Sequence, residues 1–289
     1  MTTVTEFGKD LLRTGDLDPV YVAIHKAQLD AATLARLCLA YWCFYSLGTA
    51  AKLAEIKQPQ KFWAAMMTAA INAGERPDGS KPWPRGSERR HFRGVQATAA
   101  MSNLAALYGS KDAQFAVEGF IRPLCGNRYT YNSVSKSVQQ HRGFGPWIAF
   151  KIADMSERVM DYCTDFSDCH LGIYKDPRQG AAVAFQQWQD SDKFVDKPWD
   201  YPVTDLELKA TVEHYVKVFR AAKFKAPPTG DRLVNVQEIE TIFCKYKSHL
   251  KGHYPMGKDT LEIGHGLQGW GDLAQQLHKG LPPVQRSLL

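Results

Sequence analysis

Apolar residues along this chain recur at helical spacing far more often than they alternate. Leu208, Val212, Tyr215, Val216 and Phe219 fall on one face of a helix predicted over residues 206–222. Ile239, Ile242, Phe243 and Tyr246 do the same within 236–251, and Phe62, Trp63, Met66, Met67 and Ile71 within 61–72. From Asp30 a run through Leu34, Leu37, Cys38, Tyr41, Trp42 and Tyr45 is apolar on most sides, which predicts a central helix that Gly48 kinks or ends. Further helices are predicted over 7–13, 19–28 (capped by Asp18, with Pro19 first), 95–107, 113–120, around 181–190 and near 267–277. Residues 174–180 read as irregular. The two-residue period of strands is missing apart from a tempting short stretch at 232–236. The expected fold class is all-α.

One stretch stands apart. Residues 133–153 read as a short helix with Val134 and Val138 on one face, then Gly143-Phe144-Gly145, then a second helix opening at Pro146. The paired glycines permit a tight turn and close approach of backbone to a ligand. Pro146 suits a first helical position. The free amides of the second helix would face outward, a ready site for one phosphate. An αα-corner with glycines kept for packing reads equally well from spacing alone.

Between the helices lie loops that are long for a compact domain, and such loops usually carry function. That over 74–94 holds Arg85, Arg89, Arg90, His91 and Arg93, with Glu88 the one acid among them. Planar guanidinium forks suit phosphate oxygens, so the cluster is expected to hold a pyrophosphate or several backbone phosphates. The competing reading is a solvated basic loop. Gly257-Lys258-Asp259-Thr260 resembles a phosphate-binding turn but lacks the full Gly-x-x-x-x-Gly-Lys-Ser/Thr pattern, which disfavours P-loop kinase chemistry. Lys258 remains a phosphate candidate, and Asp259 a candidate metal ligand, base or helix cap. Asp165 and Asp168 are candidate general bases, with a capping role for Asp165 as the alternative. Tyr41-Trp42-Cys43-Phe44-Tyr45 reads as core.

The chain has 289 residues, 44% of them hydrophobic, enough for a large core. It is expected to form a single compact helical unit over 1–289, or two intimate lobes. The lobes would be 1–125 with the basic loop 74–94, and 126–289 with the hairpin 133–153 and the C-terminal helices. A net charge of +6 is compatible with a polyanionic partner without requiring one. Six cysteines show no Cys-x-x-Cys spacing and predict reduced, mostly buried thiols. No apolar run approaches membrane-spanning length and the first residues show no signal pattern, so no membrane partner is expected.

The order of hairpin, flanking Arg142 and Lys151, and the acidic segment that follows resembles the helix-hairpin-helix DNA glycosylase superfamily. That resemblance implies a hairpin gripping one DNA strand through Arg142, Gly143, Gly145 and Lys151. It also implies an aspartate serving a flipped base; Asp165, twenty positions after Gly145, falls at that distance, with Asp168 the near alternative. Segments 12–23, 41–44, 83–94 and 143–154 together resemble a narrower group, the bacteriophage amino acid:DNA transferase family. Its members are also called α-glutamyl/putrescinyl thymine pyrophosphorylases and are related to those glycosylases. The resemblance implies an all-α, glycosylase-like fold with long functional loops, and a transferase acting on double-stranded DNA in the host cytoplasm. The enzyme would replace the pyrophosphate on 5-pyrophosphoryloxymethyl-uracil with an amine, from an amino acid such as glycine or glutamate or from a polyamine. No cofactor is demanded by that reaction; Mg²⁺ is a candidate aid to pyrophosphate departure. Two alternatives stay open: a glycosylase or lyase, and a non-catalytic DNA-binding subunit of a modification complex.

Overall fold

The computed structural model describes residues 2–72, 83–86, 89, 92, 94–122, 129–171, 174–189 and 197–284. Among the described residues helices dominate and strands amount to two residue pairs, so the fold is all-α. In chain order the helices begin with α1 (Val4–Thr14), α2 (Pro19–Ala27), α3 (Ala31–Phe44), α4 (Leu47–Ala54), α5 (Pro59–Ile71), α6 (Gly94–Tyr108) and α7 (Ala113–Ile121). The strand β1 (Tyr129–Thr130) leads into α8 (Tyr131–Gln139), then α9 (Pro146–Val159) and β2 (Thr164–Asp165). After these come α10 (Lys175–Gln189), α11 (Asp205–Ala221), α12 (Val236–Leu250), α13 (Lys258–Gly266) and α14 (Asp272–Gly280).

The chain divides into two compact units. One comprises residues 1–22, 168–262 and 281–289; the other comprises 23–167 and 263–280. In the first, α1, α10, α11 and α12 bury Phe7, Leu11, Val183, Phe219, Ile242, Phe243 and Tyr246 together. Gly180 allows this packing: a β-carbon there would lie 2.1 Å from the Phe243 carbonyl oxygen, so the backbones of α10 and α12 touch. In the second unit α3 is the central helix, with Leu37, Cys38, Trp42, Cys43 and Phe44 buried. The Trp42 ring meets Phe120 of α7 edge-on at 6.0 Å, and its N–H points at the sulfur of Met155 on α9 at 3.2 Å.

Local chemistry explains most helix starts. Asp30 caps α3 by accepting the Thr33 N–H at 2.9 Å. Thr3, Thr130 and Thr204 head α1, α8 and α11 in reciprocal capping boxes. Four expectations change. Gly48 lies inside α4; the break is at Tyr45, which takes a left-handed φ of 51°. Residues 175–180 are helical because Pro177 sits in the first turn, where an amide has no helical acceptor to lose. The helix placed near 267–277 is two helices, α13 and α14, separated around Gly269 and Gly271. The strand tempting at 232–236 contributes a single bridge, Leu233 to Lys225, whereas the parallel pair joins Tyr129 to Thr164 and Thr130 to Asp165.

Candidate functional site

Helices α8 and α9 are joined by a six-residue turn, Gln140 to Gly145. The Phe144 amide closes it on the His141 carbonyl at 3.1 Å. Gly143 has φ of 84°, and a β-carbon there would come within 2.9 Å of Ala100 on α6, so the turn needs glycine twice over. Gly145 differs. Its φ is −91°, no side chain caps α9 there, and a β-carbon would meet nothing within 4 Å. The space beside the Gly145 α-carbon is therefore open. Pro146 has no amide N–H and that of Ala149 bonds to the Gly145 carbonyl at 3.0 Å, so the first-turn donors outside the helical ladder are those of Trp147 and Ile148, to which the dipole adds partial positive charge.

The underside of the turn is closed by packing. Phe144 is buried against Phe120 and Phe92, with ring centroids 4.8 and 6.2 Å away. His141 is buried and receives the Tyr108 hydroxyl side at 2.9 Å, while Nδ1 lies 3.1 Å from the Ser137 carbonyl oxygen. The Nδ1 contact fixes the proton on that nitrogen, so Nε2 accepts from Tyr108. Burial lowers the imidazole below its usual value, and the ring stays neutral near pH 7. Arg142 is exposed beside the turn, its amide donating to Asn103 of α6 at 3.4 Å. Lys151 is half-buried on α9 with its ammonium 5.1 Å from the Phe150 ring centre.

The basic loop reaches this turn. Arg89 is only 7% exposed; its Nη1 donates to the Gly143 carbonyl at 3.0 Å and its Nε to the Cys43 carbonyl at 3.3 Å. The guanidinium lies 4.4 Å from the Phe92 ring centre and 5.0 Å from that of Phe144. Burial pulls its pKa down to about 10, so it remains charged at neutral pH. The same charge acts on Cys43, whose thiol burial nonetheless pushes up to about 12. Arg85 donates through Nη2 to the carbonyls of Ala69 and Ala70, at 3.0 and 3.1 Å, closing the last turn of α5. Arg90, His91 and Arg93 lie outside the described residues.

The carboxylates fall on both sides of the unit boundary. Asp165 is exposed at the end of β2, where its two oxygens accept from the Ser167 amide at 2.8 Å and the Ser167 hydroxyl at 2.9 Å. It therefore heads a turn of its own backbone while still facing solvent. Asp168 is half-buried in the other unit. In that unit Lys258 donates to the His253 carbonyl at 2.9 Å and approaches Glu262 at 3.7 Å. Asp259 pairs with Lys245 at 2.6 Å. Among the described residues no three His, Cys, Asp or Glu side chains group as metal ligands.

Two polar constellations escape a reading of the sequence. Asp154 and Arg158, one helical turn apart on α9, are buried together at 3.5 Å. The only signal was their i, i+4 spacing inside an apolar helix. Asp16, 1% exposed, accepts from the Tyr254 hydroxyl at 2.6 Å, the Gly257 amide at 2.8 Å, and the Thr260 amide and hydroxyl at 3.1 and 2.8 Å. Burial pushes the Tyr254 hydroxyl far up, so it stays a donor to Asp16. This knot fixes the turn 253–260 against the α1–α2 connection.

Comparison with known proteins matches these features to one group. The chain is 38% identical, over 98% of its own length and 97% of the relative's, to a glycinyltransferase of Pseudomonas phage PaMx11. It is 28% identical, over 94% of its length and 80% of the relative's, to a putrescinyltransferase of Delftia phage PhiW-14. The amino acid:DNA transferase family model matches residues 11–254, a span that holds the basic loop, the α8–α9 turn and both candidate aspartates. The chain therefore belongs to the amino acid:DNA transferase family, and its activity is that of a transferase acting on DNA.

Proposed function

We propose that this enzyme joins glycine, through its amino group, to 5-pyrophosphoryloxymethyl-uracil in double-stranded DNA and releases pyrophosphate in the host cytoplasm. The choice of glycine follows the 38% relative, which covers the chain almost end to end. The observation that carries the reaction reading is the bond from Arg89 to the Gly143 carbonyl. It joins Arg89 of the arginine segment to the glycine turn, which supports a reading in which the turn grips DNA and the arginine segment serves a leaving diphosphate.

The steps balance simply. The glycine nitrogen offers its lone pair to the exocyclic methylene carbon, and the N–C bond forms. The C–O bond to pyrophosphate breaks, and the leaving group takes the electron pair. Positive charge from Arg90, His91 and Arg93 of the loop, which Arg85 and Arg89 anchor through main-chain carbonyls, offsets the developing negative charge. Lys258 is a further candidate for that charge. The new secondary ammonium gives its proton to a carboxylate, for which Asp165 and Asp168 are the candidates. Open amides at the start of α9, with Arg142 and Lys151 alongside, hold a backbone phosphate of the target strand.

Incubation of the enzyme with DNA bearing the pyrophosphorylated base and an equimolar pool of glycine, glutamate and putrescine tests this reading. Digestion to nucleosides and mass analysis should show the glycine adduct in excess. A putrescine adduct would reassign the donor. Abasic sites would make the enzyme a glycosylase, and unchanged nucleosides would leave it a binding subunit.

A further inference from the structure

Arg89 has more to do than contribute charge to a loop. Among the described residues its side chain meets the turn, the end of α3 and Phe92 of its own loop: Nη1 to the Gly143 carbonyl, Nε to the Cys43 carbonyl, and the guanidinium plane against Phe92 and Phe144. Its backbone is held as well, with the Arg89 amide donating to Gly86 at 3.0 Å and the Phe92 amide to the Arg89 carbonyl at 2.9 Å. Nη2 is buried and has no hydrogen-bond acceptor among the described residues, and no described carboxylate pairs with the guanidinium. A buried cation with an unused donor and no counter-ion is costly, and its retention calls for a reason.

We infer that Arg89 is a positioning residue for DNA: it sets the Gly143 carbonyl, and with it the outward amides at the start of α9, from beneath the turn. The inference rests on the reading of that turn as the DNA grip. Gly143 adopts a left-handed φ that glycine alone leaves unconstrained, so the turn needs an external restraint to present one geometry. Arg89 supplies it through a bond that neutral side chains make more weakly. Its charge, paired with no carboxylate among the described residues and screened little by water, adds to the positive potential that the α9 dipole places at the phosphate. A residue that acts through the turn in this way has no role on the methylene carbon or the pyrophosphate. Its loss is therefore expected to raise the KM for DNA while kcat at saturating DNA is largely kept.

Steady-state kinetics of Arg89→Gln, Arg89→Lys and Gly145→Val test it, with DNA and glycine varied separately. Arg89→Gln should raise the KM for DNA about ten-fold or more, and leave the glycine KM and kcat within about two-fold. Arg89→Lys keeps the charge without the fork and should fall between it and the parent. If Arg89→Gln does not fold, Arg89→Lys alone carries the test through the same split. A fall in kcat with an unchanged DNA KM would place Arg89 on the leaving group and overturn the inference. Unchanged constants, or a change confined to melting temperature and active fraction, would overturn it too. Gly145→Val separates the two readings. If that variant binds DNA as the parent does, the turn is not the grip; if it binds poorly while the Arg89 variants bind normally, the grip stands and the role of Arg89 falls.

Discussion

The two glycines of the α8–α9 turn predict opposite outcomes for the same substitution. Gly143→Ala forces an alanine to a φ of 84°, at about 1–2 kcal/mol for the left-handed region. It also sets a β-carbon 2.9 Å from that of Ala100, a contact that must open by displacing α6 or the turn, at roughly 1–3 kcal/mol for overpacking. The sum is about 2–5 kcal/mol of lost stability. Gly145→Ala meets open space at a φ of −91°. There the lower entropy of the unfolded chain, worth about 0.4–1 kcal/mol, opposes the poorer capping by alanine. The net change should lie within about 0.5 kcal/mol. Binding should separate the positions in the other direction. A larger residue at 145 stands over the open amides and is expected to cost about 2 kcal/mol of DNA binding, roughly thirty-fold in Kd. Urea unfolding and fluorescence anisotropy with a labelled duplex measure both quantities. Equal destabilisation by the two alanines would refute the assigned backbone geometry. Parent-like DNA affinity of a folded Gly145→Val would refute the open helix start as a phosphate site.

Further outcomes follow from buried groups. Because burial lowers the His141 pKa, the folded protein prefers the neutral ring. Its contribution to stability is complete above the ordinary imidazole value and is lost as pH falls through the lowered one. An NMR titration should show this ring titrating below 6.5; a midpoint above 6.5 would contradict the burial argument. Asp16→Ala strands four donors in the interior and should cost about 3–5 kcal/mol in urea unfolding, whereas a loss under about 1 kcal/mol would mean that the knot is hydrated. Gly180→Ala should destabilise by more than about 2 kcal/mol, since its β-carbon has no room beside the Phe243 carbonyl, and a neutral effect would deny the close crossing of α10 and α12.

The fold was legible wherever one helix face carried the signal. Leu208 to Phe219 and Ile239 to Tyr246 mark α11 and α12 because one-sided burial imposes a 3.6-residue period. The start of α3 was readable at Asp30, and Gly-Phe-Gly-Pro as a turn by the conformations those residues allow. Family membership was readable from segments 12–23, 41–44, 83–94 and 143–154 taken together. The environment of each arginine was not. Charge is visible in a sequence, but whether a guanidinium meets water or a main-chain carbonyl depends on where α3, α5 and the turn end, and Arg85 and Arg89 meet carbonyls. The role of Asp16 was equally hidden, since its partner Thr260 lies 244 positions away and nothing in the sequence joins the two stretches. Lys175–Gly180 looked irregular because proline and glycine signal breaks, yet in α10 the first lies in the opening turn and the second at a close helix crossing.

The central claim is transfer of an amine to a DNA base with departure of pyrophosphate from the same carbon. The most direct measurement supplies ¹⁵N-glycine and pyrophosphorylated DNA, and counts labelled nucleoside and free pyrophosphate over one time course. The account predicts one pyrophosphate released for each ¹⁵N incorporated. Pyrophosphate released without label in the nucleoside would show hydrolysis instead, and would contradict it.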